Sequence, residues 1–139
     1  MKRSRFLVMA GLLVAALTVA ACSSGSVPAP MVQADVDEAR ATEIATNALD
    51  ALNRGDYAAW SRDWNDAMKA AIKEADFQAF RASVLEGLGR YVEIKGADYG
   101  SYSPGTYRWT FTIAFEKGEG KLGFAFNAGD PRVGGLHTS

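Results

Sequence analysis

Arg108-Trp109-Thr110-Phe111-Thr112-Ile113-Ala114-Phe115-Glu116 is the stretch that decides the fold. Every second position carries a large apolar side chain: Trp109, Phe111, Ile113 and Phe115. The positions between them are mostly charged or hydroxyl-bearing. Because successive side chains of a strand point to opposite faces, this alternation predicts an antiparallel strand with one buried face and one solvated face.

A first strand is predicted before this segment. Val92 and Ile94 alternate with Tyr91, Glu93 and Lys95, again with a period of two. The polar, glycine-containing residues 99–106 predict a loop after this strand.

Two more strands are predicted after the deciding segment. Gly118-Glu119-Gly120 predicts a hairpin turn. The next strand carries inward-facing Leu122, Phe124 and Phe126. Residues 128–131, Ala-Gly-Asp-Pro, predict another turn, and residues 132–137 a short last strand.

Before residue 90 the apolar residues follow helical spacing instead. Asp35, with Glu38 three residues later, predicts the N-cap of a first helix, and Gly55 predicts its end. One stripe of this helix is apolar: Ala41, Ile44, Ala45, Ala48, Leu49 and Leu52.

The rest of the helical region is predicted to be broken. Asp56 can cap a short turn over 57–60, and either Ser61 or Asn65 can cap the next piece. A longer helix is expected from about Glu74 to Gly89, although Lys73 precedes it where a capping side chain is usual. Its apolar stripe is interpreted as core: Phe77, Phe80, Val84, Leu85 and Leu88. Helices followed by a meander predict an α+β fold, with the helices packed on one face of a curved antiparallel sheet.

The N-terminal residues predict where the protein resides. Lys2, Arg3 and Arg5 precede an apolar stretch over 6–20, and small residues stand directly before Cys22, the only cysteine. This order resembles a bacterial lipoprotein signal peptide and its lipobox. The resemblance implies cleavage before Cys22, lipid on its sulfur, and an anchor in the cell membrane or envelope that faces the extracytoplasmic side, with the outer membrane as an option in a cell with two membranes.

The expected organisation is a signal peptide over 1–21, a lipidated cysteine with a flexible linker over 22–33, and a single domain over 34–139. Three of the 15 basic residues and none of the 16 acidic ones lie in the signal, so the remaining chain is acidic. Acids and bases alternate along it, as at Arg62-Asp63 and Lys73-Glu74. Nucleic acid is therefore not an expected partner.

Three short motifs carry a resemblance to a known family. They are Gly55-Asp56-Tyr57-Ala58-Ala59-Trp60-Ser61, Leu88-Gly89-Arg90-Tyr91 and Gly134-Gly135-Leu136. With the helices-then-sheet order, they make about Asp35 to His137 similar to the domain-of-unknown-function 3887 family. That resemblance implies a cone-shaped fold like nuclear transport factor two or cystatin, with helices in the concavity of a bent sheet. It implies no catalytic residues, because the family has no assigned chemistry.

No catalytic or metal-binding constellation is predicted from the residues. His137 is the only histidine and lies two residues from the last residue, so it is interpreted as an exposed strand-end side chain. The carboxylate pairs Asp63 with Asp66 and Glu116 with Glu119 are interpreted as solvated. No metal site and no cofactor are expected.

Most of the aromatic side chains are interpreted as core, and a ligand pocket or an interface is the alternative for a few of them. Tyr and Trp carry a polar atom that a core must satisfy, and two arginines flank the same elements. The candidate residues are Tyr57, Trp60, Trp64, Trp109, Arg90 and Arg108. The favoured function is a non-catalytic, lipid-anchored module that binds an envelope protein or a small amphipathic ligand. The alternatives are a small cavity enzyme that uses His137, and a homodimer formed through the sheet face of Arg108, Thr110 and Thr112.

Overall fold

Helices come first and strands follow in the computed structural model, which describes residues 35–139. The helices are α1 (Glu38–Arg54), α2 (Tyr57–Trp60), α3 (Asp66–Ala71) and α4 (Glu74–Gly87). The strands are β1 (Tyr91–Ser103), β2 (Thr106–Phe115), β3 (Gly118–Asn127) and β4 (Val133–Thr138). This order confirms the predicted α+β fold. The signal peptide over 1–21, Cys22 and the linker over 22–33 lie outside the described residues.

Helix α1 begins two residues later than the sequence predicted. Its N-cap is Asp37, whose backbone is extended and whose carboxylate accepts a hydrogen bond of 2.8 Å from the Arg40 N–H. Asp35 instead accepts a hydrogen bond from the Gly129 N–H and so joins the chain before α1 to the β3–β4 turn. Gly55 ends α1 as predicted, with a left-handed φ of 74° that suits glycine.

Helix α2 is capped by a carboxylate and helix α3 by an amide, whereas α4 has no side-chain cap. Asp56 caps α2 and accepts from the Ala59 N–H. Of the two candidates for α3, Asn65 is the cap, and its side-chain oxygen accepts from the Met68 N–H. Lys73 supplies no cap for α4, but its own N–H donates to the Asp76 carboxylate over 2.8 Å. The helix therefore starts on a carboxylate in its first turn.

The sheet is an antiparallel meander in the order β1-β2-β3-β4. Between Tyr91 and Ala97, β1 takes three residues for every two of β2, because bulges interrupt the pairing. Tyr91, Ile94 and Ala97 consequently pair with Phe115, Ile113 and Phe111 and lie on the inner face. The predicted strict alternation of β1 was wrong, since the first bulge leaves Val92 57% exposed.

Two predicted loops are shorter than the sequence suggested. Strand β1 continues to Ser103, because its last residues pair with the first residues of β2. The turn is therefore reduced to Pro104 and Gly105. The second hairpin turns at Glu116 and Lys117, so that Gly118 already pairs with Phe115 at the start of β3. The prediction that 118–120 form that turn was wrong by two residues.

The core lies between α1 and the inner face of the sheet. Seven residues of α1 are buried: Ala41, Ile44, Ala45, Ala48, Leu49, Ala51 and Leu52. The sheet contributes Tyr107, Trp109, Phe111, Ile113, Leu122, Phe124, Phe126 and Val133. The segment before α3 closes the edge of β4, where Trp64 forms a parallel bridge with Val133. In residues 35–139 no helix is long and apolar enough to cross a membrane.

Candidate functional site

Helix α4 stands away from the sheet, in contrast to α1. Phe77 is the one residue of α4 that is fully buried. Phe80, Val84 and Leu85, with Leu88 directly after the helix, are half-buried. The prediction that this whole stripe belongs to the core was therefore wrong. Phe80, Val84 and Leu88 line a cleft instead.

Hydrogen bonds hold α4 in this position. The Arg81 side chain donates to the carbonyls of Leu52 and Asn53, over 2.7 and 3.2 Å, at the end of α1. At the C-terminus of α4, the Lys117 ammonium donates to the Glu86 carbonyl over 2.9 Å. Carbonyls at a helix C-terminus attract cations, so both helices are fixed by basic side chains.

Just after α4 the chain turns through Gly89, whose φ is +79°. A β-carbon at Gly89 would lie 2.9 Å from the Glu116 β-carbon. Glycine is therefore needed both for the left-handed backbone and for the close approach of the β2–β3 turn. This turn sets the distance between the end of α4 and the sheet.

The cleft between α4 and the sheet is apolar. Its first part has a volume of about 290 Å³ and is lined chiefly by Leu52, Trp60, Phe80, Val84, Ile113 and Leu122. A second part of about 290 Å³ shares Trp60, Phe80 and Leu122 and extends to Ile72 and Leu136. Shared walls make the two parts one elongated groove. Such a groove can exclude water and hold an apolar body.

Charged groups are found only at the borders of the groove's described lining. Lys121 borders the first part and Asp76 the second. Asp76 already accepts the Lys73 N–H at the start of α4. Among the lining residues no nucleophile is paired with a base, which general acid–base or nucleophilic chemistry would require. Within residues 35–139 no group of three His, Cys, Asp or Glu side chains could hold a metal ion.

The structure brings together three of the six residues predicted to line a pocket. Trp60 lines the cleft, and its ring lies 4.5 Å from that of Trp64. Trp64 is buried beneath it. Tyr57 packs edge-on against Trp64, and its hydroxyl donates to the Ile72 carbonyl over 2.6 Å. The polar atom of Tyr57 is therefore satisfied within the fold.

The other three predicted residues lie elsewhere. Trp109 is buried, and its indole N–H donates to the Val36 carbonyl over 2.9 Å at the start of the described chain. Arg90 is exposed at the junction of α4 and β1, where its backbone N–H donates to Glu116. Arg108 lies on the outer face of β2, because it alternates with Trp109. The arginines do not line the apolar cleft.

Asp63 and Asp66, the first predicted carboxylate pair, are placed differently from each other. The side chain of Asp63 is only 12% exposed and forms ion pairs of 3.0 Å with Arg40 and 3.1 Å with Arg62. The interpretation of Asp63 as solvated was wrong, whereas Asp66 is exposed. A hydrogen bond to Glu43 is the main cause that raises the pKa of Arg40, and Asp63 adds to it. This cluster joins α1 to the segment before α3.

His137 lies on the outer face of the sheet, opposite Gly123 in the pairing of β3 and β4. It is exposed and is not among the residues that line the apolar cleft. Sequence reasoning missed Val84, Leu88 and Phe115 as lining residues. The available signal was that α4 carries larger apolar side chains than α1 on its stripe and so cannot approach the sheet as closely.

Helices on one face of a curved four-stranded antiparallel meander, with an apolar cleft under the last helix, define a small α+β domain. The chain belongs to a family of proteins of unknown function, DUF3887, whose model matches residues 45–134. This match confirms the resemblance seen in the sequence. Among curated proteins, none matches the chain.

Two solved structures are similar to the chain. An NMR structure of a protein from Ruminococcus gnavus ATCC 29149 is similar, with a TM-score of 0.60 and 15% identity. The likeness covers 78% of this chain and 94% of that one. A crystal structure of AclR from Streptomyces galilaeus has a TM-score of 0.42 and 12% identity, over 74% of this chain and 79% of that one. The first likeness concerns the fold alone.

Proposed function

We propose that this protein is a non-catalytic binding module whose cleft under α4 holds the apolar part of a small amphipathic molecule. The observation that carries this proposal is the apolar groove between α4 and the sheet. Half-buried Phe80, Val84 and Leu88 expose apolar surface to it, and covering that surface with a ligand is favourable.

The shape of the cleft favours a single elongated chain. Each part has a volume of about 290 Å³, at the lower end for ligand sites, which suits a slender group such as an acyl chain. The charged residues border the groove and do not form its floor. A saturated acyl chain with its polar head outside the groove fits this arrangement.

We further propose that the module is presented from a membrane by lipid on Cys22. The basic, apolar and small-residue segments before this cysteine support the assignment. Two or more acyl chains would anchor the protein durably, because each buried methylene contributes about 0.8 kcal/mol. Metabolic labelling with a lipid precursor should label the wild type and not Cys22→Ala, and an unlabelled wild type would refute this anchor.

Photo-crosslinking tests the ligand. The intact chain in lipid nanodiscs is exposed to a diazirine analogue of a saturated fatty acid, and the adducts are mapped by peptide mass spectrometry. Adducts are expected in 80–88 and 120–122, which line the groove. Adducts confined to residues 1–34, or no adducts at all, would refute the proposal.

Matched variants of α4 sharpen this experiment. Val84→Trp should lower the adduct yield about fivefold, because the indole fills the groove. Ala82→Trp places the same side chain at an exposed position of the same helix and should leave the yield unchanged. Equal yields in the two variants would show that the label does not enter the groove.

A further inference from the structure

A second concavity lies on the outer face of the sheet, the face opposite α1 and the apolar cleft. Its volume is about 350 Å³. Six of its lining residues are Thr106, Arg108, Asn127, Gly134, Gly135 and His137. Unlike the cleft, this trough is bordered by side chains that can donate hydrogen bonds or carry positive charge.

The pairing of β2, β3 and β4 explains why these polar side chains converge. Arg108 pairs with Ala125, which pairs with Gly135, so its neighbours in this row are small. A β-carbon added to Gly123 would lie 3.1 Å from Arg108 Cδ and 3.6 Å from His137 Cβ. The Arg108 stem therefore reaches across β3 over Gly123 and approaches the histidine on β4.

The charges around the trough favour an anion. The guanidinium of Arg108 carries a positive charge, and Lys121 lies on the same outer face of the sheet, on β3 opposite Thr112. Glu119 on this face is held by the Lys95 ammonium at 2.6 Å. Asp98 on β1 lies opposite Thr110 in the row of Gly123 and His137, but no carboxylate is among the described residues that line the trough.

We propose that the trough binds a small hydroxylated carboxylate of the sugar-acid class. The planar guanidinium of Arg108 suits a carboxylate, because it can donate two parallel hydrogen bonds. The amide of Asn127 and the hydroxyl of Thr106 can bind sugar hydroxyls. The volume is at the lower end for ligand sites and matches a monosaccharide rather than a larger molecule. This site is separate from the proposed acyl cleft.

Calorimetric titration of the intact chain in a polyoxyethylene detergent tests the site, with glucuronate as the probe. Saturable binding of glucuronate is expected. Glucose, which lacks the carboxylate, and acetate, which lacks the hydroxyls, should bind at least about tenfold more weakly. No heat from glucuronate at about 20 mM, or equal affinity for acetate, glucose or inorganic phosphate, would overturn the proposal.

Three variants locate the site. Arg108→Lys keeps the charge but loses the planar fork, and Ala125→Leu fills the trough, so each should weaken binding about tenfold. Lys121→Gln removes a charge from the same face outside the trough and should have less than about a twofold effect at 150 mM salt. Equal losses in Arg108→Lys and Lys121→Gln would show non-specific attraction and overturn the assignment. Unchanged binding by Ala125→Leu, with the fold intact by circular dichroism, would overturn it as well.

Discussion

Helices α1 and α4 cover the same face of one sheet, yet α1 closes its half of the interior and α4 leaves a cleft. Four of the seven buried residues of α1 are alanines, at positions 41, 45, 48 and 51. Small side chains let a helix approach the sheet closely and fill the space between them. Helix α4 presents Phe80 and Val84 instead. Its own Arg81 donates to the carbonyl of Leu52 at the end of α1, and Lys117 from the β2–β3 turn donates to the carbonyl of Glu86 at the end of α4.

An amphipathic stripe on a helix does not by itself define a core. Both helices carry one, and both begin on a carboxylate. What differs is whether the opposing surface comes close enough to bury the stripe. The open half is consequently the place where binding can occur without loss of the core.

The largest expected effect separates the one buried aromatic residue of α4 from its half-buried neighbour. Phe77→Ala should lower the free energy of unfolding by about 3–5 kcal/mol, because the ring is fully buried 4.6 Å from that of Trp60. Phe80→Ala removes a ring that lines the cleft and should cost less than half as much. Urea denaturation followed by circular dichroism measures both. Equal costs would mean that the cleft is closed in solution.

Overpacking should also distinguish the two halves. Ala48→Leu enlarges a buried side chain of α1. It should lower the free energy of unfolding by about 1–3 kcal/mol, because the closed half of the interior has no space for the larger side chain. Val84→Leu adds one methylene at the cleft and should stay within about 0.5 kcal/mol of the wild type. Thermal unfolding of the two variants measures both effects. An unchanged stability of Ala48→Leu would contradict a closed half under α1.

The glycine after α4 tests what sets the height of the cleft. Gly89→Ala should cost about 1–2 kcal/mol, because alanine is strained at a φ of +79° and its β-carbon would crowd Glu116. Gly87→Ala, within the helix and with no atom near the added carbon, should stabilise the protein by about 0.5–1 kcal/mol. Chemical denaturation is the measurement. A neutral Gly89→Ala would contradict the strained connection.

The smallest effect concerns the link between the two helices. Arg81→Gln should cost about 0.5–1.5 kcal/mol, because the carbonyls of Leu52 and Asn53 lose their charged donor. Hydrogen exchange of the α4 amides should rise, while that of α1 stays unchanged. Gln78→Ala removes a longer hydrogen bond of 3.3 Å to Gly55 and serves as the control. Equal exchange rates in both variants would show that Arg81 does not hold α4 against the end of α1.

Much of the fold could be predicted from local patterns. The alternation in β2 places Trp109, Phe111 and Ile113 on the buried face, as observed. Gly55 and Asp56 end one helix and begin the next, because left-handed glycine and capping carboxylates act within a few residues. The bulges of β1 could not be predicted, because they arise from the pairing of two strands that the pattern of one strand does not contain.

The candidate site was predicted less well than the fold. A pocket was the alternative to a core position for Trp109, but this residue lies in the core and its indole N–H donates to the Val36 carbonyl. Arg108 belongs to the opposite face, which the period-two pattern of β2 already implied. The cleft itself depends on the distance between α4 and the sheet. That distance follows from contacts between residues far apart in sequence, such as Lys117 with Glu86.

The sequence by itself determined the order of the elements, the faces of β2 and β3 and membership of the family, because periodicity, caps and turns are properties of neighbouring residues. Only the tertiary structure decided that α1 closes its side of the interior, that α4 leaves a groove over Trp60, and that Arg108 and His137 border one trough. These outcomes depend on strand register and on hydrogen bonds between distant elements, and no local pattern encodes the distance between two surfaces.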